Sequence, residues 1–167
     1  MKKIVFVFLT TVMIQTVTNA QMDSLALTKA FDFWVGEWDA TWDKQDGTKG
    51  KGVNIIMKTL DGIVIQENFE DLQTGFKGTS ISVFNPRNNS WHQAWADNQG
   101  GYFDFIGDFD GEKKIFKTKM RKVNGKDFIQ RMVFYDFKPD SFSWDWETST
   151  DGGETWTLNW RIWYTKK

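Results

Sequence analysis

The chain contains no cysteine. Disulfides, thiol catalysis and lipid attachment through a cysteine are therefore excluded. Histidine occurs once, at position 92. Without a second histidine or a thiol, a transition-metal site lacks its ordinary ligands, and no Asp-rich calcium loop is present. Charge is nearly balanced, 21 Lys and Arg against 22 Asp and Glu, so nothing draws the chain to nucleic acid or an anionic membrane. A phosphate-cradling glycine loop, a nucleophile elbow, a zinc spacing and a dinucleotide fingerprint are all missing. No cofactor is expected from these residues, and no linker or low-complexity run marks a second domain.

The first twenty residues have their own logic. Lys2 and Lys3 open a positive start, and the apolar run Ile4 to Ile14 is eleven residues long, broken only by Thr10 and Thr11. That is too short for a membrane span. Thr18-Asn19-Ala20 offers a small-residue cleavage site. Residues 1–20 thus read as a signal peptide, and 21–167 as one exported domain, periplasmic or secreted. Removing 20 of 167 residues leaves 147, and the net charge of −1 becomes −3 once the two lysines are gone. A chain of that length can bury a real core.

What the sequence has in excess is aromatic: 17% of residues, with ten Trp and fifteen Phe. So much ring area implies a thick aromatic core or a lined cavity. Ser24 to Phe31 is the one helical window, with Asp23 or Ser24 as cap. Beyond Trp38 the apolar pattern turns to period two. Turn signals then recur at Gly47 to Gly52, Asp61-Gly62, Thr74-Gly75, Asn88-Asn89, Gly100-Gly101, Asp110-Gly111, Asn124-Gly125, Pro139-Asp140 and Asp151-Gly152-Gly153. Hairpins at this spacing predict an all-β meander. The strands fall near 36–43, 52–59, 62–70, 76–84, 90–97, 102–109, 113–122, 127–137, 141–149 and 155–164. About ten antiparallel strands are expected to close into an up-and-down barrel, because closure removes both hydrogen-bonding edges. The short helix is expected near one mouth.

The stretch Phe31-Asp32-Phe33-Trp34-Val35-Gly36-Glu37-Trp38-Asp39 leads into the first strand. Its Gly36-x-Trp38 resembles the signature of lipocalins, members of the calycin superfamily. The resemblance implies that Trp38 plugs one barrel end and packs near a late arginine, here Arg161. With Trp91 to Gly101 and Ser149 to Trp156 added, the chain is similar to an exported bacterial family of calycin-like domains. That likeness implies fold and export more than activity. Haem-binding relatives of the nitrobindin type use a histidine late in the barrel, and none follows His92 here. Ser149-x-Asp151-x-Gly153-x-Thr155-Trp156 matches the Asp-box of sialidase propellers. It is turn chemistry, in which the Asp151 side chain bonds turn amides over a packed Trp, and one copy makes no propeller.

Alternate strand residues share a face. Strand five divides into Trp91, Gln93, Trp95 and Asp97 against His92, Ala94 and Ala96. The first stripe suits a cavity wall, with apolar rings to grip a ligand and polar groups to orient it. It equally suits plain core. Glu67 lies among Ile63, Ile65 and Phe69, and Arg131 among Ile129, Val133 and Tyr135. If both faces point inward, Glu67 and Arg131 are candidate polar anchors inside the barrel. The stripes Phe142, Trp144, Trp146 and Trp156, Leu158, Trp160, Ile162 read as core, and Asp145, Glu147 and Ser149 as a solvated face.

The favoured reading is an exported barrel that binds a small apolar or amphipathic molecule, with Glu67, Trp91, Gln93, Trp95 and Arg131 at the ligand and Gly36, Trp38, Arg161 and Asp151 as structural residues. An enzyme on the same barrel, an isomerase, cyclase or hydrolase using His92, Glu67 or Asp97, stays open. So does a structural or interaction domain whose barrel is filled by its own rings.

Overall fold

A computed structural model describes residues 25–167. The expected signal peptide, residues 1–20, and the capping candidates Asp23 and Ser24 lie outside the described residues. The chain divides at Phe33 into an N-terminal segment and a larger unit, Trp34–Lys167. In the first unit, residues 25–28 are helical. Its later turns close through tight three-residue bonds, Lys29 N–H to Ala26 O, Ala30 N–H to Leu27 O and Asp32 N–H to Lys29 O. No helix of the described residues is long and apolar enough to cross a membrane.

The larger unit is all β. Strands β1 (Gly36–Asp43), β2 (Lys49–Thr59), β3 (Val64–Asp71), β4 (Lys77–Asn85), β5 (Ser90–Asp97), β6 (Tyr102–Asp110) and β7 (Lys113–Thr118) pair in chain order. After β8 (Arg121–Val123) come β9 (Lys126–Lys138), β10 (Ser141–Ser149) and β11 (Thr157–Lys166). β7 pairs with β9, β9 with β10, β10 with β11, and β11 with β1. The result is a closed ten-stranded antiparallel barrel.

One expected strand, 113–122, is instead two. The register between β7 and β9 matches Lys117 with Arg131, while β8 matches Arg121 with Phe128, a slip of one residue. At the slip the Thr118 hydroxyl accepts the Gln130 N–H at 3.0 Å and so replaces a ladder bond. β8 then folds back on the start of β9 through Asn124 and Gly125, both at positive φ, outside the closed ring.

A second irregularity sits between Trp146 and Glu147. Trp146 faces Trp160, whereas Glu147 faces Leu158. The extra residue reverses which side chains of β11 point inward. Trp160 and Ile162 enter the barrel, and Leu158 is left exposed.

The end of the barrel where β1 begins is filled. Trp38 meets Phe142 edge-on at 4.9 Å, Phe142 stacks on Tyr164 at 4.6 Å, and Trp34 meets Phe134 at 5.2 Å. The Trp38 indole N–H donates to Trp34 O at 2.9 Å, which fixes the ring. Gly36 turns into β1 at φ 148°, a conformation that side chains disfavour.

The lipocalin-like stack of Arg161 on Trp38 does not form. Trp38, Ala40 and Trp42 are the buried, inward residues of β1. Their partners in β11 are even-numbered, Tyr164 opposite Ala40 and Lys166 opposite Trp38. Arg161 has the other parity and lies on the outer face. Lys166 takes the place over the indole, with Nζ 5.8 Å from the ring centre.

Candidate functional site

The opposite half of the barrel is not filled. A cavity of about 160 Å³ lies there. Its walls are aromatic: Trp95 from β5, Phe103 and Phe105 from β6, Trp144 and Trp146 from β10, and Trp160 from β11. Phe69, Phe76, Met132, Ile162 and Tyr164 complete the apolar lining. The rings brace one another edge-on, Trp144 against Trp160 at 5.8 Å and Trp146 against Phe103 at 5.6 Å.

Two carboxylates line this space. Glu67 is deep, only 6% exposed. Asn54 Nδ2 donates to its Oε1 at 2.8 Å, and the Ser80 hydroxyl donates to its Oε2 at 2.7 Å. Gln93 Nε2 donates to Ser80 Oγ at 3.2 Å and to Ser82 Oγ at 3.0 Å. A polar row thus crosses β2, β3, β4 and β5 between the aromatic plug and the cavity. Asn54 Oδ1 and Gln93 Oε1 are buried in this row without a donor.

Burial pushes the Glu67 carboxyl up, and the Asn54 and Ser80 bonds only partly offset it, so it titrates at about 7. Burial, and next the charge of Glu67, push the Tyr164 phenol up as well. The second carboxylate, Asp97, sits at the end of β5. Its Oδ1 accepts the amides of Gly101 at 2.8 Å and Gln99 at 2.9 Å, and its Oδ2 the Trp95 indole N–H at 3.3 Å. Partial burial raises it, and these three bonds outweigh that, holding it below the usual carboxylate range.

Of the residues read as ligand-facing, Glu67 and Trp95 line the cavity. Gln93 is buried beside it in the polar row. Trp91 is buried but belongs to the filled half, 5.9 Å from Phe84. Arg131 is a correction. Met132 lines the cavity and Phe134 packs in the plug, so the alternate residues Arg131, Val133 and Tyr135 face outward. Its Nε donates to Glu147 Oε2 at 2.6 Å, and its guanidinium lies 3.7 Å from the centre of the Trp156 ring. Glu67 and Arg131 are therefore on opposite sides of the wall and form no pair.

The same outer face corrects the reading of Asp145, Glu147 and Ser149 as solvated. Asp145 is 4% exposed and takes Arg161 bidentately, Nε at 2.7 Å and Nη2 at 2.6 Å. Ser149 is buried and donates to Asp151 Oδ1 at 2.6 Å. Asp151 also accepts the amides of Glu154 and Thr155, and Trp156 Nε1 donates to Gly153 O at 3.1 Å. The Asp-box is a hairpin clasp.

His92 pairs in register with Val83 and Ile106 on the outer face, its Nε2 2.9 Å from Ser90 Oγ. The barrel wall separates it from Glu67, so the two cannot share a reaction. Among the described residues no group of three potential ligands could hold a metal ion.

Sequence reasoning took Trp144, Trp146 and Trp160 for core and passed over Asn54 and Gly78. A Cβ at Gly78 would stand 1.9 Å from Trp95 Cζ2. The Trp95 indole occupies the space that a side chain at 78 would need. A glycine inside a strand was the available signal, since it marks a close approach. No protein-family model matches the chain, and no curated protein matches it.

Proposed function

We propose that this protein is an exported, calycin-like binding barrel that takes a small, largely apolar ligand with a polar end into the aromatic cavity, with its polar end on Glu67. The cavity carries the argument. A barrel filled by its own rings would close both halves alike, whereas only the half around Trp38 is closed. An apolar cavity of about 150 Å³ holds one benzene molecule, so about 160 Å³ fits a compact ring. Burying a carboxyl weakens the fold unless something recovers the cost. A ligand head group supplies the missing hydrogen bonding.

One observation favours an acid–base enzyme as a second reading: a carboxyl poised near 7 suits proton transfer at neutral pH. Native mass spectrometry of protein purified from its host tests the binding reading. A bound molecule of roughly ring size that is lost on denaturation is expected. The reading fails if no mass is found and no small aromatic probe changes the tryptophan emission. For export, the expected N-terminus in the extracytoplasmic fraction is Gln21, and an intact Met1 on cytoplasmic protein refutes it.

A further inference from the structure

The charge around the cavity narrows the ligand class. Glu67 and Asp97 are its only charged lining residues, and no Lys, Arg or His joins them among the described residues. Neither carboxylate has an ion-pair partner there: Glu67 is held by a neutral amide and a hydroxyl. Asp97 is held by two backbone amides and an indole. The arginines that could have answered them, Arg131 and Arg161, are turned outward onto Glu147 and Asp145.

The hydrogen bonding points the same way. A carboxylate accepts about four hydrogen bonds, and Glu67 receives two. Asn54 Oδ1 and Gln93 Oε1 in the same row have no donor at all. Beside the cavity this row offers more acceptors than donors, and the Tyr164 hydroxyl, 3.4 Å from Asn54 Nδ2, is a neutral donor that lines the cavity with Glu67. An anion would add acceptors and a third negative charge in a low-dielectric space. A cation brings both missing things, N–H donors and positive charge. The walls agree, because the faces of Trp95, Trp144, Trp146 and Trp160 carry the negative part of the ring quadrupole and attract cations.

We infer that the ligand is a small organic cation, a protonated amine on an apolar body about the size of a benzene ring, with its N–H groups on Glu67 and its charge against the tryptophan walls. This deepens the binding reading above and rests on it.

Three probes of one shape separate the two. Benzylammonium, toluene and benzoate are titrated into the full protein at about pH 8, where Glu67 is mostly ionised and the amine still charged. Binding is read by tryptophan fluorescence and by calorimetry. Benzylammonium is expected to bind at least tenfold more tightly than toluene, and benzoate more weakly than toluene. In Glu67→Gln, benzylammonium should fall to within about threefold of toluene while toluene is unchanged. Benzoate binding as tightly as benzylammonium overturns the inference. Equal affinity for toluene and benzylammonium also overturns it and leaves the apolar cavity standing. Undiminished benzylammonium binding to Glu67→Gln overturns the role of Glu67. No binding of any probe overturns the binding reading itself.

Discussion

Glu67→Gln should make the protein more stable at neutral and alkaline pH. Gln has the shape of Glu, still accepts from Asn54 or Ser80, and carries no charge to bury. The wild-type carboxyl titrates at about 7 in the fold against an ordinary value of 4.5. Its contribution is therefore fully present below about pH 4.5 and is lost as pH rises through 7. Between those values the unfolded chain has given up the proton and the folded chain still holds it. The whole shift corresponds to about 3 kcal/mol, most of which falls between pH 5 and pH 8. Urea unfolding of both proteins, followed by tryptophan fluorescence across that range, gives the difference curve. Asp71, Asp97 and Asp151 are held low in both proteins and cancel. The variant should gain steadily on the wild type up to about pH 8 and level off beyond. A flat difference, or one that runs the other way, would refute the claim that Glu67 is buried without a counter-charge.

The affinity of benzylammonium should fall as pH drops below about 7, down to what its apolar body alone provides, and be flat from there up to the pH at which the amine itself loses its proton, because the cation binds the ionised Glu67; calorimetry at several pH values measures this. Gly78→Ala pushes Trp95 off its seat toward the cavity. It should cost about 1–3 kcal/mol in urea unfolding and weaken toluene and benzylammonium alike. Trp38→Ala should cost about 3–5 kcal/mol, and Arg161→Met about 2 kcal/mol, because it leaves Asp145 buried while Arg161 itself was partly solvated. The Trp38→Ala, Arg161→Met double variant should be additive within about 0.5 kcal/mol, since the two side chains lie on opposite faces of the wall; coupling beyond that would mean they touch.

Strand boundaries were legible because the turns are written in residues that tolerate positive φ, among them Gly62, Asn89, Asn124 and Gly100. Facing was legible only where one stripe is polar. In β3 the alternation of Ile65, Glu67 and Phe69 put Glu67 on the apolar side, and that is where it lies. In β9 both stripes are apolar enough, Ile129-Arg131-Val133-Tyr135 against Gln130-Met132-Phe134, so period alone could not choose. The choice is made by neighbours: Phe116 and Phe142 take the even stripe as partners, while Asp145 and Glu147 collect the arginines outside. In β11 a bulge that no residue type announces separates the facing of Leu158 from that of Trp160. The cavity itself was out of reach, because it depends on where large rings stop, and glycine seats such as Gly78 set that limit.

The polar row has a consequence for how the two halves of the barrel differ. Below it the rings around Trp38 pack into a plug, and above it the rings stand around a cavity. Asn54, Glu67, Ser80 and Gln93 form a hydrogen-bonded boundary between the two. An apolar residue at 67 would remove a buried carboxyl that costs stability at neutral pH. A barrel selected for stability alone has every reason to make that change. The acid at 67 is thus best understood through what the cavity admits: a partner whose positive charge and N–H groups recover on binding what the empty fold loses by keeping it.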